Sequence, residues 1–269
     1  MSYVSYSNIR AVLSTGDSQT TATGSYIPLY ATNVSASNTT QLQRVRRIGA
    51  EMDYYIQTGP KSASVNVSAI PVTGAGLNQL VNFLALTGDF VSGSFIQVPA
   101  YRFEKCFLKS LSFSLEPWQV LQAEMQFDSY GIAMGSGINV VTPQTGAANI
   151  VSPLRNMTVS ISGSSFSRPI NEYESLSFDI EVEREPNVEL GDAYPKKVSV
   201  ARISKSLQIN GASNLEWVSD YEPNDPVTVT VTMADGNSFS VVGVLSSQSV
   251  NIDSNGVAKG GLQVVEEMV

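Results

Sequence analysis

Four acids stand at alternate positions in the segment SFDIEVERE: Asp179, Glu181, Glu183 and Glu185, with Phe178, Ile180 and Val182 between them. In an extended strand this spacing puts the carboxylates on one face and the apolar side chains on the other. Like charges along one strand face repel one another unless they are solvated or neutralised. The stripe therefore reads either as an ordinary wet face or as a wall that repels a polyanion. The complementary pattern is LQRVRRIG, which carries Arg44, Arg46 and Arg47, with Arg44 and Arg46 on one strand face. Guanidinium groups bind carboxylates through paired hydrogen bonds, so these arginines suit a bridge to acids on another subunit. Three arginines in a strongly acidic whole make a weak nucleic-acid patch.

Catalytic patterns are missing where chemistry would need them. The chain has no histidine, and Cys106 is its single cysteine. Serine nucleophiles lack their usual base, and neither an internal disulfide nor a cysteine-rich zinc site can form. Glu116 and Glu124 are two carboxylates of the kind a β-sandwich glycosidase uses, though sequence does not pair them. Asp220, Glu222 and Asp225 in DYEPNDP have oxygen ligands for Ca²⁺, but two prolines favour a solvated loop. Gly74-Ala75-Gly76 lacks the third glycine and the lysine of a phosphate-cradling loop. No catalytic residue, cofactor or metal is expected, and the chain reads as a non-enzyme.

Composition narrows the partners. Across 269 residues the net charge is -8 and the pI about 4.6, with 42% hydrophobic and only 15% charged residues. Sequence-independent binding to nucleic acid or to an anionic membrane surface needs clustered Lys and Arg, so phosphate is repelled by default. No apolar run approaches the length of about 20 residues that a membrane-spanning helix needs. The opening MSYVSYSNIR has no apolar run behind a basic start, so the expectation is a soluble chain made in the cytoplasm.

The elements that would carry these residues are strands. Ala63, Val65, Val67 and Ala69 alternate with polar residues, as do Leu111, Phe113 and Leu115, then Met157, Val159 and Ile161, and Val227, Val229 and Val231. Such alternation marks half-buried antiparallel strands. Leu77, Leu80, Val81, Leu84 and Ala85 have helical spacing, which predicts one short helix near 77–86. The expected fold class is mainly β: two tandem antiparallel β-sandwich or half-barrel domains, over 1–135 and 154–269, with the short flanking helix in the first. A Gly-rich linker spans 136–153. Each half ends in an alternating strand, a turn at Glu116-Pro117 or Asn255-Gly256, and a second strand, which suggests a weak internal duplication.

The stretches LQRVRRIGAEMDYYIQTGPKSASVNVSAIP from Leu42, GLNQLVNFLALTGDF from Gly76 and FEKCFLKSLSFSLEPWQVLQAEMQF from Phe103 together resemble the tail tube (major tail) proteins of tailed phages. The segment from Ser175, SLSFDIEVEREPNVELGDAYPKKVSVARISKSLQING, is similar to the strands of such proteins with two tube folds in one chain. The resemblance implies a virion structural subunit, made in the host cytoplasm, that joins itself edge to edge into rings stacked as a tube. The rings would be trimeric and pseudo-sixfold, or hexameric. It also implies tape measure, tail terminator or baseplate partners, no membrane, and DNA passing through without specific binding during ejection. Asp179, Glu181, Glu183 and Glu185 become lumen-lining candidates, and Arg44, Arg46 and Arg47 subunit-interface candidates. The alternative is a monomeric β-sandwich carbohydrate-binding or adhesin module that stacks sugars on Tyr54, Tyr55, Tyr101 or Trp118.

Overall fold

A computed structural model describes residues 11–14, 26–39, 42–45, 54–57, 62–71, 88–89, 94–98, 101–116, 121–134, 157–170, 172–189, 192–213, 226–233, 236–252 and 258–268. The described residues form strands and no helix. The expected helix near 77–86 and the linker over 136–153 lie outside them.

The first half contains β1 (Ala11–Ser14), β2 (Tyr26–Thr39), β3 (Leu42–Val45), β4 (Tyr54–Gln57), β5 (Ser62–Pro71), β6 (Gly88–Asp89), β7 (Ser94–Val98), β8 (Tyr101–Leu115) and β9 (Gln122–Met134). The second contains β10 (Thr158–Ser162), β11 (Ser167–Ile170), β12 (Ser175–Asn187), β13 (Lys197–Ala212), β14 (Val227–Thr232), β15 (Ser238–Ile252) and β16 (Ala258–Met268). Every pairing is antiparallel. Strands β8, β7, β1, β2, β5 and β9 pair in a closed cycle.

The second half repeats this pattern of neighbours. In place of β2-β5-β9-β8 it has β12-β13-β16-β15, and β10 and β14 stand where β1 and β7 stand. The separate strand β11 takes the role of the first residues of β2, since it pairs β10 as β2 pairs β1. The hairpins that looked alike in sequence, β8–β9 and β15–β16, occupy equivalent places. Each carries one extra residue on its first strand, Lys109 between Leu108 and Ser110, and Ser246 between Leu245 and Ser247. These bulges fix the correspondence residue by residue.

Among the described residues two strand pairings join the halves into a single sheet, the long one between β8 and β12 and a short one between β6 and the start of β13. β9 runs along one edge of β8; along the other, β7 pairs the first part, and β12 takes over from Ser110 to Leu115. The inner face of the resulting ladder is apolar: Ala123, Phe113, Phe178, Leu207 and Val264 lie in one cross-strand row. Phe113, Phe178 and Phe239 meet with ring centroids 5.1 to 5.8 Å apart, so strands from both halves share one aromatic cluster. Gly243 marks where β15 passes from β14 to β16, and a Cβ there would stand 2.1 Å from the Val265 carbonyl oxygen.

Two outcomes are expected in urea unfolding. Phe178→Ala empties a fully buried site and costs about 3–5 kcal/mol. Gly243→Ala forces backbone against backbone and costs about 1–3 kcal/mol.

Candidate functional site

The outer face of the ladder is the surface on which the chain concentrates its polar groups. One row runs Asn33, Ser68, Glu124, Ser112, Asp179 and Ser206 through β2, β5, β9, β8, β12 and β13. The next runs Ser35, Asn66, Gln126, Ser110, Glu181 and Ser204. A third, Gln122, Ser114, Ser177, Gln208 and Gln263, continues to Ser247 on β15. Strict alternation builds this face, because each outward residue sits beside an inward core residue on the same strand. Its neutral groups bond one another: Gln263 Nε2 donates to Ser206 Oγ at 3.0 Å, Gln126 Nε2 to Ser64 Oγ at 3.1 Å, and Asn210 Nδ2 to Ser175 Oγ at 3.2 Å.

Asp179, Glu181, Glu183 and Glu185 are all exposed. The structure divides them into two pairs. Asp179 and Glu181 lie inside the ladder, flanked by serines on both sides: Ser112 and Ser206 for the first, Ser110 and Ser204 for the second. Glu183 and Glu185 lie past the end of the β8 pairing and face β13 alone, Glu183 opposite Arg202 and Glu185 opposite Ser199. Glu124 adds a further acid to the Asp179 row, one strand beyond Ser112. Partial desolvation by the surrounding side chains pushes the Asp179 carboxyl above its ordinary range.

Arg44 is exposed on the two-stranded β3–β4 sheet, opposite Tyr55, whose relative exposure is 64%. Arg46 and Arg47 lie outside the described residues, as do Trp118 and the cluster Asp220, Glu222 and Asp225. Among the described residues no three His, Cys, Asp or Glu side chains group as a metal site would need. Glu116 does not approach Glu124. The register places Ser112 opposite Glu124, and four residues along β8 add about 13 Å, beyond the roughly 5–9.5 Å at which paired glycosidase carboxylates work. Cys106 is buried, and desolvation pushes its thiol up to about 12, which keeps it protonated and unreactive.

One polar feature escaped the sequence reading. Arg184 occupies the inward phase set by Phe178, Ile180 and Val182, and an arginine at a core-phase position was the available signal. It lies where β12 leaves β8, donating from Nε to the Leu108 carbonyl at 3.1 Å with its guanidinium 5.3 Å from the centre of the Phe107 ring. Phe107, Tyr130 and Val198 form a small separate cluster there. Burial lowers the Arg184 pKa and raises that of Asp128, while the attraction between the two partly offsets both shifts.

No protein-family model and no curated protein matches this sequence. The reading of the face rests on its chemistry.

A raised carboxylate pKa means that the ionised form is the disfavoured one in the folded state. The penalty at Asp179 is therefore full at neutral pH, fades as pH falls through the raised value, and is gone below the ordinary value of 3.8. Asp179→Asn is expected to raise the melting temperature at pH 7 and to lose that advantage in acid, as thermal melts across pH would record.

Proposed function

We propose that the chain is a structural subunit of a phage-type tail tube, with two tube folds in tandem, and that the outer polar face lines a channel for DNA. The observation that carries this reading is the composition of that face. Across the ladder β2-β5-β9-β8-β12-β13-β16-β15 it is furnished chiefly by Ser, Asn, Gln and acids, and Asp179 and Glu181 lie in its middle. A surface that must let a polyanion slide gains from having few cations, because every phosphate contact adds a barrier to motion. Hydroxyl and amide groups keep the wall wet, and the acids repel phosphate across about a Debye length.

The dimensions suit the role. Eight strands per chain, repeated in three chains, give a closed wall about 37 Å across at 4.8 Å per strand, and strand tilt widens it further. Each chain would supply two quasi-equivalent quartets, so three chains make a ring with pseudo-sixfold symmetry. Closure also disposes of exposed strand edges, which are otherwise an aggregation hazard. In this reading the exposed Arg44 on β3 would be a subunit-interface residue that meets carboxylates of a neighbouring copy.

Electron microscopy of the purified chain over a concentration series tests the assembly, with rings or hollow filaments of uniform width expected. A strict monomer that binds polysaccharide would instead favour the carbohydrate-binding module. Glu181→Lys combined with Glu183→Lys is expected to leave the fold intact and to make assembled particles retain DNA, with affinity falling steeply as salt rises. Unchanged DNA affinity in well-formed particles would remove these residues from the channel wall.

A further inference from the structure

The internal junction between β8 and β12 has a counterpart that the single chain leaves open. Within the chain, Ser110 to Leu115 of β8 pair with Glu181 to Leu176 of β12. The matched bulges make Ser247 to Ile252 of β15 equivalent to Ser110 to Leu115. By the cross-strand rows, Val34 to Thr39 of β2 are equivalent to Leu176 to Glu181, since Val34 pairs Val67 and then Met125 as Leu176 pairs Ile209 and then Leu262.

Both equivalent edges are open among the described residues. Val242 N–H turns away from β14 to the Glu266 carboxylate at 3.3 Å, so β14 and β16 hold opposite edges of β15. Beyond Gly243 the edge that β14 occupied has no partner strand among the described residues. On β2, the side turned from β5 is paired by β1 only from Tyr26 to Leu29. Neither open segment contains a charge or a proline. Other edges carry the usual protection: β11 has Arg168 and Pro169, and the end of β12 has Glu183, Glu185 and Pro186.

Exposure marks the same place. Phe113 and Leu115, under the internal junction, are 4% and 1% exposed, whereas their equivalents Val250 and Ile252 are 49% and 71% exposed. Two apolar side chains thus lie uncovered where the other half of the molecule covers theirs.

We propose that β15 pairs with β2 of the next copy of this chain, antiparallel and in the register of the internal β8–β12 junction. Ser249 then lies opposite Ser37, Val250 opposite Ala36 and Ile252 opposite Val34. Val250 and Ile252 then share the inner phase with Ala36 and Val34, and Ser249 shares the outer phase with Ser37, while the remaining inner-phase pair, Gln248 with Asn38, matches polar with polar. The contact is head to tail, and it repeats until the ring closes. It deepens the tube reading and rests on the self-assembly that reading requires.

Cysteine pairs test it in the full-length chain, where the native Cys106 is buried. Under mild oxidation of assembled particles, Ser249→Cys with Ser37→Cys is expected to give a ladder of covalent oligomers on a non-reducing gel, and each single variant none. Val250→Lys is expected to abolish particles while leaving the monomer's melting temperature within a degree or two of the parent. Particles that form without the ladder, or that tolerate Val250→Lys, overturn this pairing and leave the tube reading standing. Dimers from Ser249→Cys alone place β15 against its own copy and also overturn it. A parent chain that stays monomeric at every concentration overturns the assembly, and this pairing with it.

Discussion

A β-strand has two edges, and each edge presents N–H and C=O groups that must find partners. In this protein the requirement converges on β8. β9 satisfies one of its edges, while β7 and β12 divide the other at Ser110. That division makes one sheet of two halves, because the strand that completes the first half's cycle also seats the first long strand of the second. The aromatic cluster of Phe113, Phe178 and Phe239 and the continuous polar outer face both depend on that register. A slip of one residue there would exchange the faces of every strand beyond it.

Inside the ladder, apolar burial supplies the main favourable term, and the polar exceptions have assigned partners. The buried Ser129 hydroxyl lies 2.8 Å from the Glu104 carbonyl oxygen and 2.9 Å from that of Gly131. Its equivalent in the second half is Glu266, which pairs with Lys205 at 3.0 Å, with both side chains under 20% exposed. The same place in both halves is polar, but with different chemistry. A partly buried ion pair of this kind gains little net stability once desolvation is counted, yet losing one partner would leave an uncompensated charge. Its more evident consequence is to tie β13 to β16 and, through the other oxygen of Glu266, to Val242 at the point where β15 changes neighbours.

The outer face follows a different logic. Ser, Asn and Gln groups cover most of it, several of them hydrogen-bonded to one another, and the acids are spaced by serines instead of standing side by side across strands. The spacing reduces repulsion between neighbouring carboxylates while the face stays electronegative. In the proposed role, passing a polyanion without holding it, low affinity is the functional property. Such a site presents no converging catalytic groups, because its chemistry is distributed over many weakly acting residues.

The sequence alone determined the strands and their faces. Alternation at Ala63 to Ala69, Leu111 to Leu115 and Val227 to Val231 was enough, since side-chain direction in a strand is a local property with a period of two. It placed Asp179 and Glu181 on an outward face and, in outline, the likeness of the two closing hairpins. It did not determine which strand lies beside which. Pairing is a contact between residues far apart in the chain, and the uncharged polar strands of this protein resemble one another too closely for composition to select their neighbours. Only the tertiary structure put Glu124 in the same row as Asp179, moved Glu183 and Glu185 beyond the β8 pairing, and turned Arg184 onto Phe107 and the Leu108 carbonyl. It also distinguished Phe113, buried at the internal junction, from Val250, exposed at the open one. The two residues share an alternating pattern in sequence and differ only in whether a neighbouring strand is there to cover them.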